Sequence, residues 1–204
     1  MKRKAELSHE SIRTAALQLI DSEGLADFST RKLGKLLGCE AMAIYWYYPS
    51  KDALLDAVVD KLMASVATTI SGGGKWIDAL RDLAHAYRRI AHEHPKAFPL
   101  LATRRFASED TYAFLERLFT LARDHGIDDQ TTARFYRVVS SYCSGFALNE
   151  LASPRGPQDP RTASLRRKFS TVAAVSKWLE PDYLDEMFEF GLELQLTALA
   201  KATR

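Results

Sequence analysis

Residues Ser29 to Lys51 read STRKLGKLLGCEAMAIYWYYPSK, and this stretch decides the fold. Ser29 can cap a short helix carrying Leu33, Leu36 and Leu37, and Gly38 breaks that helix where a tight turn is needed. A second short helix is expected from Glu40 to about Tyr47, stopped by Pro49. Helix, glycine turn, helix is the plan of a helix-turn-helix, whose second helix enters the major groove of DNA. Leu33, Leu36, Leu37, Ile44 and Tyr48 fall on the inward side of such a pair, and the outward residues are left free. On pattern alone, two short helices packed by leucines fit an ordinary scaffold equally well.

The flanks supply what such a pair would pack against. Upstream, Ser8 can cap a helix whose Ile12, Ala15, Ala16, Leu19 and Ile20 form one apolar stripe, ended by Gly24. Downstream, Ser50 offers a cap for a long helix from Lys51, with Leu54, Leu55, Val58, Val59, Leu62 and Val66 along one side. Gly72, Gly73 and Gly74 break the chain. A fifth helix follows, marked by Trp76, Leu80, Ala84, Tyr87 and Ala91 and closed by His94 and Pro95. A short helix around Ala97 to Leu101 precedes one from Ser108 to His125, with Tyr112, Leu115, Phe119 and Ala122 expected inward. Residues 129 to 152 and the helix beyond Pro181 are apolar on more than one face, so each needs two partners. Between them lie a proline-rich loop, Ser153 to Pro160, and a helix around Ser164 to Leu179. Gly191 would let another helix approach closely.

With 204 residues, 47% of them hydrophobic, the chain can bury a real core, and helix formers recur throughout. No apolar run reaches the ~18 residues that span a bilayer, and the first residues lack a secretory segment, so the cytoplasm is the expected location. Cys39 and Cys143 lack ligand or disulfide spacing and read as small core side chains, with no metal and no cofactor implied. Net charge is +2, yet eight basic residues face six acidic ones up to Lys51 and the remainder balances. The positive field sits where phosphate could be met, although a solvated basic tail gives the same count. His85 and His92 share a helix face without a third ligand at metal spacing, and Arg166, Arg167 and Lys168 read as a solvated face. No nucleophile stands beside a base and no phosphate loop is present, so an enzyme is not expected.

The run FSTRKLGKLLG, then AIYWYY, then SKDALLDAVVD resembles the signature of the TetR family of bacterial transcription regulators, without a gap. Weaker likeness continues through LLATR at Leu100 to Arg104, GFALNELA at Gly145 to Ala152 and FEFGLELQL at Phe188 to Leu196. The resemblance implies an all-α protein: a three-helix DNA-binding domain over 1–52, and an effector-binding and dimerisation bundle over 53–204, linked by the helix from Lys51. It implies Thr30 and Arg31 as first DNA contacts and puts Ala41, Met42 and Ala43 at base-facing positions, where only apolar contact, as to a thymine methyl, is open to them. Tyr45, Tyr47 and Lys51 would reach phosphates, whereas Trp46 and Tyr48 would pack. Tyr47 replaces the family's usual histidine, and Glu40 stands where many members have a serine cap.

In such regulators the larger half holds a small molecule. Candidate lining residues are Met63, Tyr87, Leu100, Thr103, Arg104, Tyr112, Phe135, Tyr142 and Phe146, each of which plain core would also explain. Ala67, Leu83 and Leu100 fall where the tetracycline repressors use histidine and asparagine to hold drug and magnesium, so a larger apolar effector with few polar groups suits this chain better. The two over-apolar helices are the pair that the family assembles into a four-helix bundle across a two-fold axis. The implied function is an effector-released repressor that grips a palindromic operator as a homodimer; a DNA-binding or partner-binding helical dimer without an effector is the alternative.

Overall fold

The computed structural model describes residues 7–68, 74–104, 108–152 and 160–202, and among them there is no strand. In chain order the helices are α1 (His9–Glu23), α2 (Thr30–Leu37), α3 (Ala41–Tyr45), α4 (Lys51–Ala67), α5 (Trp76–Glu93) and α6 (Phe98–Thr103). They continue as α7 (Glu109–Asp124), α8 (Asp129–Ala152), α9 (Pro160–Lys168), α10 (Ser170–Ser176) and α11 (Leu184–Ala202). Serine sets four of the helix starts by accepting an orphan backbone N–H: Ser8 from Ser11, Ser29 from Lys32, Ser50 from Ala53 and Ser108 from Thr111.

The front of the chain is one packed unit. Ile12, Ala16 and Ile20 of α1, Leu33 of α2, Ile44 of α3 and Leu54 and Val58 of α4 are all fully buried in it. Gly38 takes φ +70° at the end of α2, and the Cys39 N–H returns to the Gly34 carbonyl at 2.9 Å. This left-handed stop turns the chain into α3 within three residues. A Cβ at Gly34 would stand 2.7 Å from the Cys39 carbonyl oxygen, so α2 and α3 meet only because that side chain is missing. The tyrosines after α3 pin the unit: the Tyr47 hydroxyl donates to the Leu7 carbonyl at 2.8 Å and that of Tyr48 to the His9 carbonyl at 2.9 Å. Glu10 on α1 accepts from Lys61 on α4 at 2.7 Å, which with Arg13 pulls its carboxyl down to about 2.

Behind it, α5 lies between α4 and the α8–α11 pair, burying Trp76, Leu80, Leu83, Ala84, Tyr87 and Ile90. Two contacts bolt the halves together at the end of α5. His94 Nδ1 meets Asp21 at 2.7 Å, and Lys96 donates to the Ser22 carbonyl.

Several expectations are corrected here. Leu36 is 56% exposed: the half-buried Leu37 lies about 40° from Leu33 on one side and Leu36 about 60° on the other, so the α2 stripe runs through Leu33 and Leu37 and leaves Leu36 at its edge. Tyr112 is 65% exposed; the inward stripe of α7 is Thr111, Phe114, Leu118 and Ala122. The helix expected over 164–179 is divided into α9, α10 and a 3₁₀ turn at Lys177–Leu179. At Gly191 the helix that comes close, as expected, is α8, through the Tyr142 ring, whose hydroxyl would lie 2.4 Å from an added Cβ. The proline-rich segment and most of the triple glycine lie outside the described residues.

Gly34→Val should therefore lower stability by about 2 kcal/mol, as overpacking of a tight contact does. A urea unfolding curve followed by far-UV circular dichroism should show an earlier midpoint.

Candidate nucleic-acid interface and effector half

The exposed side of the helix-turn-helix is built from the ends of α2 and α3. Thr30 and Arg31 open α2, and Ala41, Met42 and Ala43 open α3. Since Ile44 is fully buried, helical spacing puts Met42 and Trp46 on the opposite side, and they are 69% and 88% exposed. Trp46 thus departs from the packed role expected of it; Tyr48, 8% exposed, keeps that role.

The polar side chains nominated for phosphate already have partners. The Thr30 hydroxyl and the Tyr45 phenol share a hydrogen bond at 3.1 Å. Tyr47 donates to Leu7, so its proton is engaged away from the surface. Lys51 donates to the Phe28 carbonyl at 3.0 Å and lies 5.4 Å from the centre of the Phe28 ring, keeping two further protons. Glu40 caps α3 by position only, with no side-chain bond. Lys32 pairs with Glu23 at 2.5 Å, whereas Arg31 and Lys35 are exposed and without a carboxylate partner among the described residues.

In the larger half, Met63, Tyr87 and Leu100 are buried, and the Tyr87 hydroxyl points at the Met63 sulfur, 3.6 Å away. Met63 also borders a cleft of about 180 Å³ between α4 and α7, with Ala67, Asp110, Phe114 and Arg117 around it. A wider cleft of about 320 Å³ between α7 and α8 is lined by Phe119, Thr132, Tyr136 and Arg137 among others. Phe135 is half-buried against the core, and Thr103 is exposed, its hydroxyl on the Pro99 carbonyl. Arg104 turns to α4, where it holds the Asp52 and Asp56 carboxylates.

Tyr142 and Phe146 belong to the joint of α5, α8 and α11, which sequence reading missed. Tyr142 stacks on Phe188 with ring centres 5.7 Å apart and donates to the Phe188 carbonyl at 2.9 Å; burial pushes its phenol up to about 12. The Arg88 guanidinium lies 4.9 Å from the Phe188 ring and grips the buried Glu150 with two bonds of 2.9 Å. Asp185 accepts from the same guanidinium, and His92 lies 3.2 Å from Glu150. A buried carboxylate was detectable in the run NELA only by asking which arginine could reach it from another helix.

Fold and surface together define a helix-turn-helix protein: a three-helix unit with an exposed second helix, joined through α4 to a larger helical half. Residues 12–58 match the family described as "Bacterial regulatory proteins, tetR family", and residues 70–202 match "Tetracyclin repressor-like, C-terminal domain". The chain belongs to the TetR family. It is 29% identical over 142 residues to an HTH-type transcriptional regulator of Saccharopolyspora erythraea, covering 70% of this chain and 60% of that one. Against the repressor DrrR1 of Streptomyces coeruleorubidus it is 28% identical, over 72% of this chain and 55% of the relative, so it spans little more than half the length of these two. The class D tetracycline repressor of Escherichia coli is 27% identical over 205 residues, 96% of this chain and 93% of the repressor. A solved structure of a possible TetR family regulator from Streptomyces coelicolor A3(2) superposes with a TM-score of 0.79 at 28% identity, over 97% and 100% of the two chains. Folds at 22% identity include a TetR variant of Acinetobacter baumannii solved with minocycline (TM-score 0.76, covering 98% and 99%) and ActR of Streptomyces coelicolor solved with actinorhodin (0.77, 98% and 99%).

Burial alone would raise the Glu150 carboxyl, but Arg88 and His92 together hold it below its usual 4.5. Its contribution to stability is therefore complete above about pH 4.5 and is lost as pH falls through the lower folded-state value. Glu150→Gln should cost about 3 kcal/mol at pH 7, since it leaves Arg88 facing a neutral amide, and should flatten the acid limb of a plot of Tm against pH.

Proposed function

We propose that this protein is a repressor of transcription that works in the cytoplasm, binds a palindromic operator as a homodimer, and is released by a small, largely apolar effector. The observation that carries the reading is the exposed recognition helix of a complete helix-turn-helix, backed by a fully buried apolar side. We assign residues 1–52 to DNA binding and 53–204 to effector binding and dimerisation, with α4 passing between them.

Arg31 and Thr30 meet the duplex from α2, and Ala41, Met42 and Ala43 face base edges from α3. Tyr45 and Lys51 flank them on the phosphate side, Lys51 through its two remaining protons, and Tyr47 serves instead to tie the end of the turn to Leu7. The effector occupies the space among α4 to α8, against Met63, Tyr87, Leu100 and Phe135 and beside Thr103. Arg104, Tyr142, Phe146 and the outward Tyr112 play other parts, as their contacts and exposure indicate. Relatives that are repressors and similar folds solved with minocycline and actinorhodin support the reading. The effector shifts DNA affinity only as far as it binds the two states of the dimer unequally.

Two-fold pairing rests on apolar surface that one copy leaves uncovered. Val138 on α8 and Phe190 and Leu194 on α11 are 49%, 68% and 59% exposed. Pairing them sets two recognition helices about one DNA turn, roughly 34 Å, apart.

A gel-shift titration on the DNA flanking the gene should give a retarded band; no retardation at low salt and micromolar protein would end this reading. Lys51→Ala should weaken every sequence alike and reduce the salt slope by about one unit, because one phosphate contact is lost. Leu194→Glu together with Phe190→Glu should yield a monomer by light scattering, and the monomer should no longer shift a palindromic duplex.

A further inference from the structure

Recognition helices read sequence by hydrogen bonds to base edges or by contact with the thymine methyl. On this one the first mode has almost no chemistry to draw on. Ala41, Met42 and Ala43 carry no side-chain donor or strong acceptor, and Ile44 is buried. The hydroxyls nearest the face are tied into the protein, Tyr47 to Leu7 and Thr30 and Tyr45 to each other, a bond that uses one of that pair's two protons. What remains is a ridge of two large side chains, apolar but for the Trp46 indole N–H. Met42 and Trp46 are four residues apart, and Trp46 keeps helical angles (φ −67°, ψ −28°) beyond the end of α3, so they stand one above the other on the side opposite Ile44.

A tryptophan 88% exposed beside an exposed methionine demands a partner, and the charge around it says which. Arg31 and Lys35 stand exposed on the adjoining α2 without carboxylate partners among the described residues, and Lys51 opens α4, against one exposed carboxylate at the start of α3, that of Glu40. Cations beside an apolar ridge fit a phosphate-walled groove whose floor presents methyl groups, and an apolar protein partner would leave those charges unmatched.

We propose that Met42 and Trp46 are the specificity-determining residues of this protein, and that they read its operator through thymine C5-methyl groups. The half-site then carries thymines at fixed positions spaced to meet one turn of helix. Trp46 acts on the bases and not as a phosphate anchor. The inference rests on the operator-binding reading above.

The test begins with selection of duplexes from a random pool by the full-length protein, followed by resynthesis of the selected site with deoxyuridine at each thymine in turn. Deoxyuridine keeps every hydrogen-bonding group and removes only the methyl. At the contacted positions the substitution should weaken wild-type binding about four-fold per methyl, the factor expected for one buried methyl-sized group. Met42→Ala and Trp46→Ala, both at exposed sites that leave the core untouched, should each bind more weakly and lose the discrimination at one position. Equal affinity for thymine and deoxyuridine duplexes would overturn the proposal while operator binding stood. A Trp46→Ala protein that is weaker on all duplexes but still discriminates in full would overturn the role of Trp46. Failure to enrich any duplex would overturn the operator-binding reading itself and this proposal with it.

Discussion

The close approach of α2 to α3 at Gly34 is the constraint on which the reader depends. Two helices joined by three residues can pack only if their backbones nearly touch, and here the nearest would-be neighbour of a side chain at 34 is a carbonyl oxygen 2.7 Å away. That carbonyl belongs to the residue whose own N–H closes the end of α2 on the Gly34 carbonyl, so it cannot shift without disturbing the turn, and the bare α-carbon is structural. With α3 held at that distance, Ile44 reaches the core and Met42 and Trp46 are thrown outward. The tyrosine hydroxyls on Leu7 and His9 then fix the far end of the turn to the start of α1.

The larger half is held by a different kind of contact. Arg88 lies on the Phe188 ring, is bound twice by Glu150 and once more by Asp185, and so draws α5, α8 and α11 to one point. An ion pair with one partner 3% exposed adds little net stability compared with apolar packing, but breaking it by removing one partner leaves a buried charge unmatched. Tyr142 belongs to the same joint, and its ring occupies the place a side chain at Gly191 would take.

Helix positions were legible because serine caps and glycine stops are local chemistry. Ser8, Ser29 and Ser50 cap where the pattern put them, and Gly24 and Gly38 end α1 and α2. Side-chain direction was less legible. Leu36 and Tyr112 satisfy an apolar stripe by spacing yet face outward, since a turn of 3.6 residues offers several candidate faces and tertiary packing selects among them. The DNA-facing set was placed by family likeness, which carries positions but not partners. It could not reveal that Tyr47 and Lys51 reach back to Leu7 and Phe28, because those contacts join residues 40 and 23 apart in sequence. Nor could it reveal that Arg104 reaches α4 and pairs with its carboxylates.

That last contact has an electrostatic side. The first two turns of α4 carry Lys51 against two carboxylates, Asp52 and Asp56, and taken alone this helix tip would be net negative beside the recognition helix. Arg104, supplied from the end of α6, binds both carboxylates and brings the sum to zero. The charge balance at this helix tip thus depends on a cation on loan from the opposite half of the molecule.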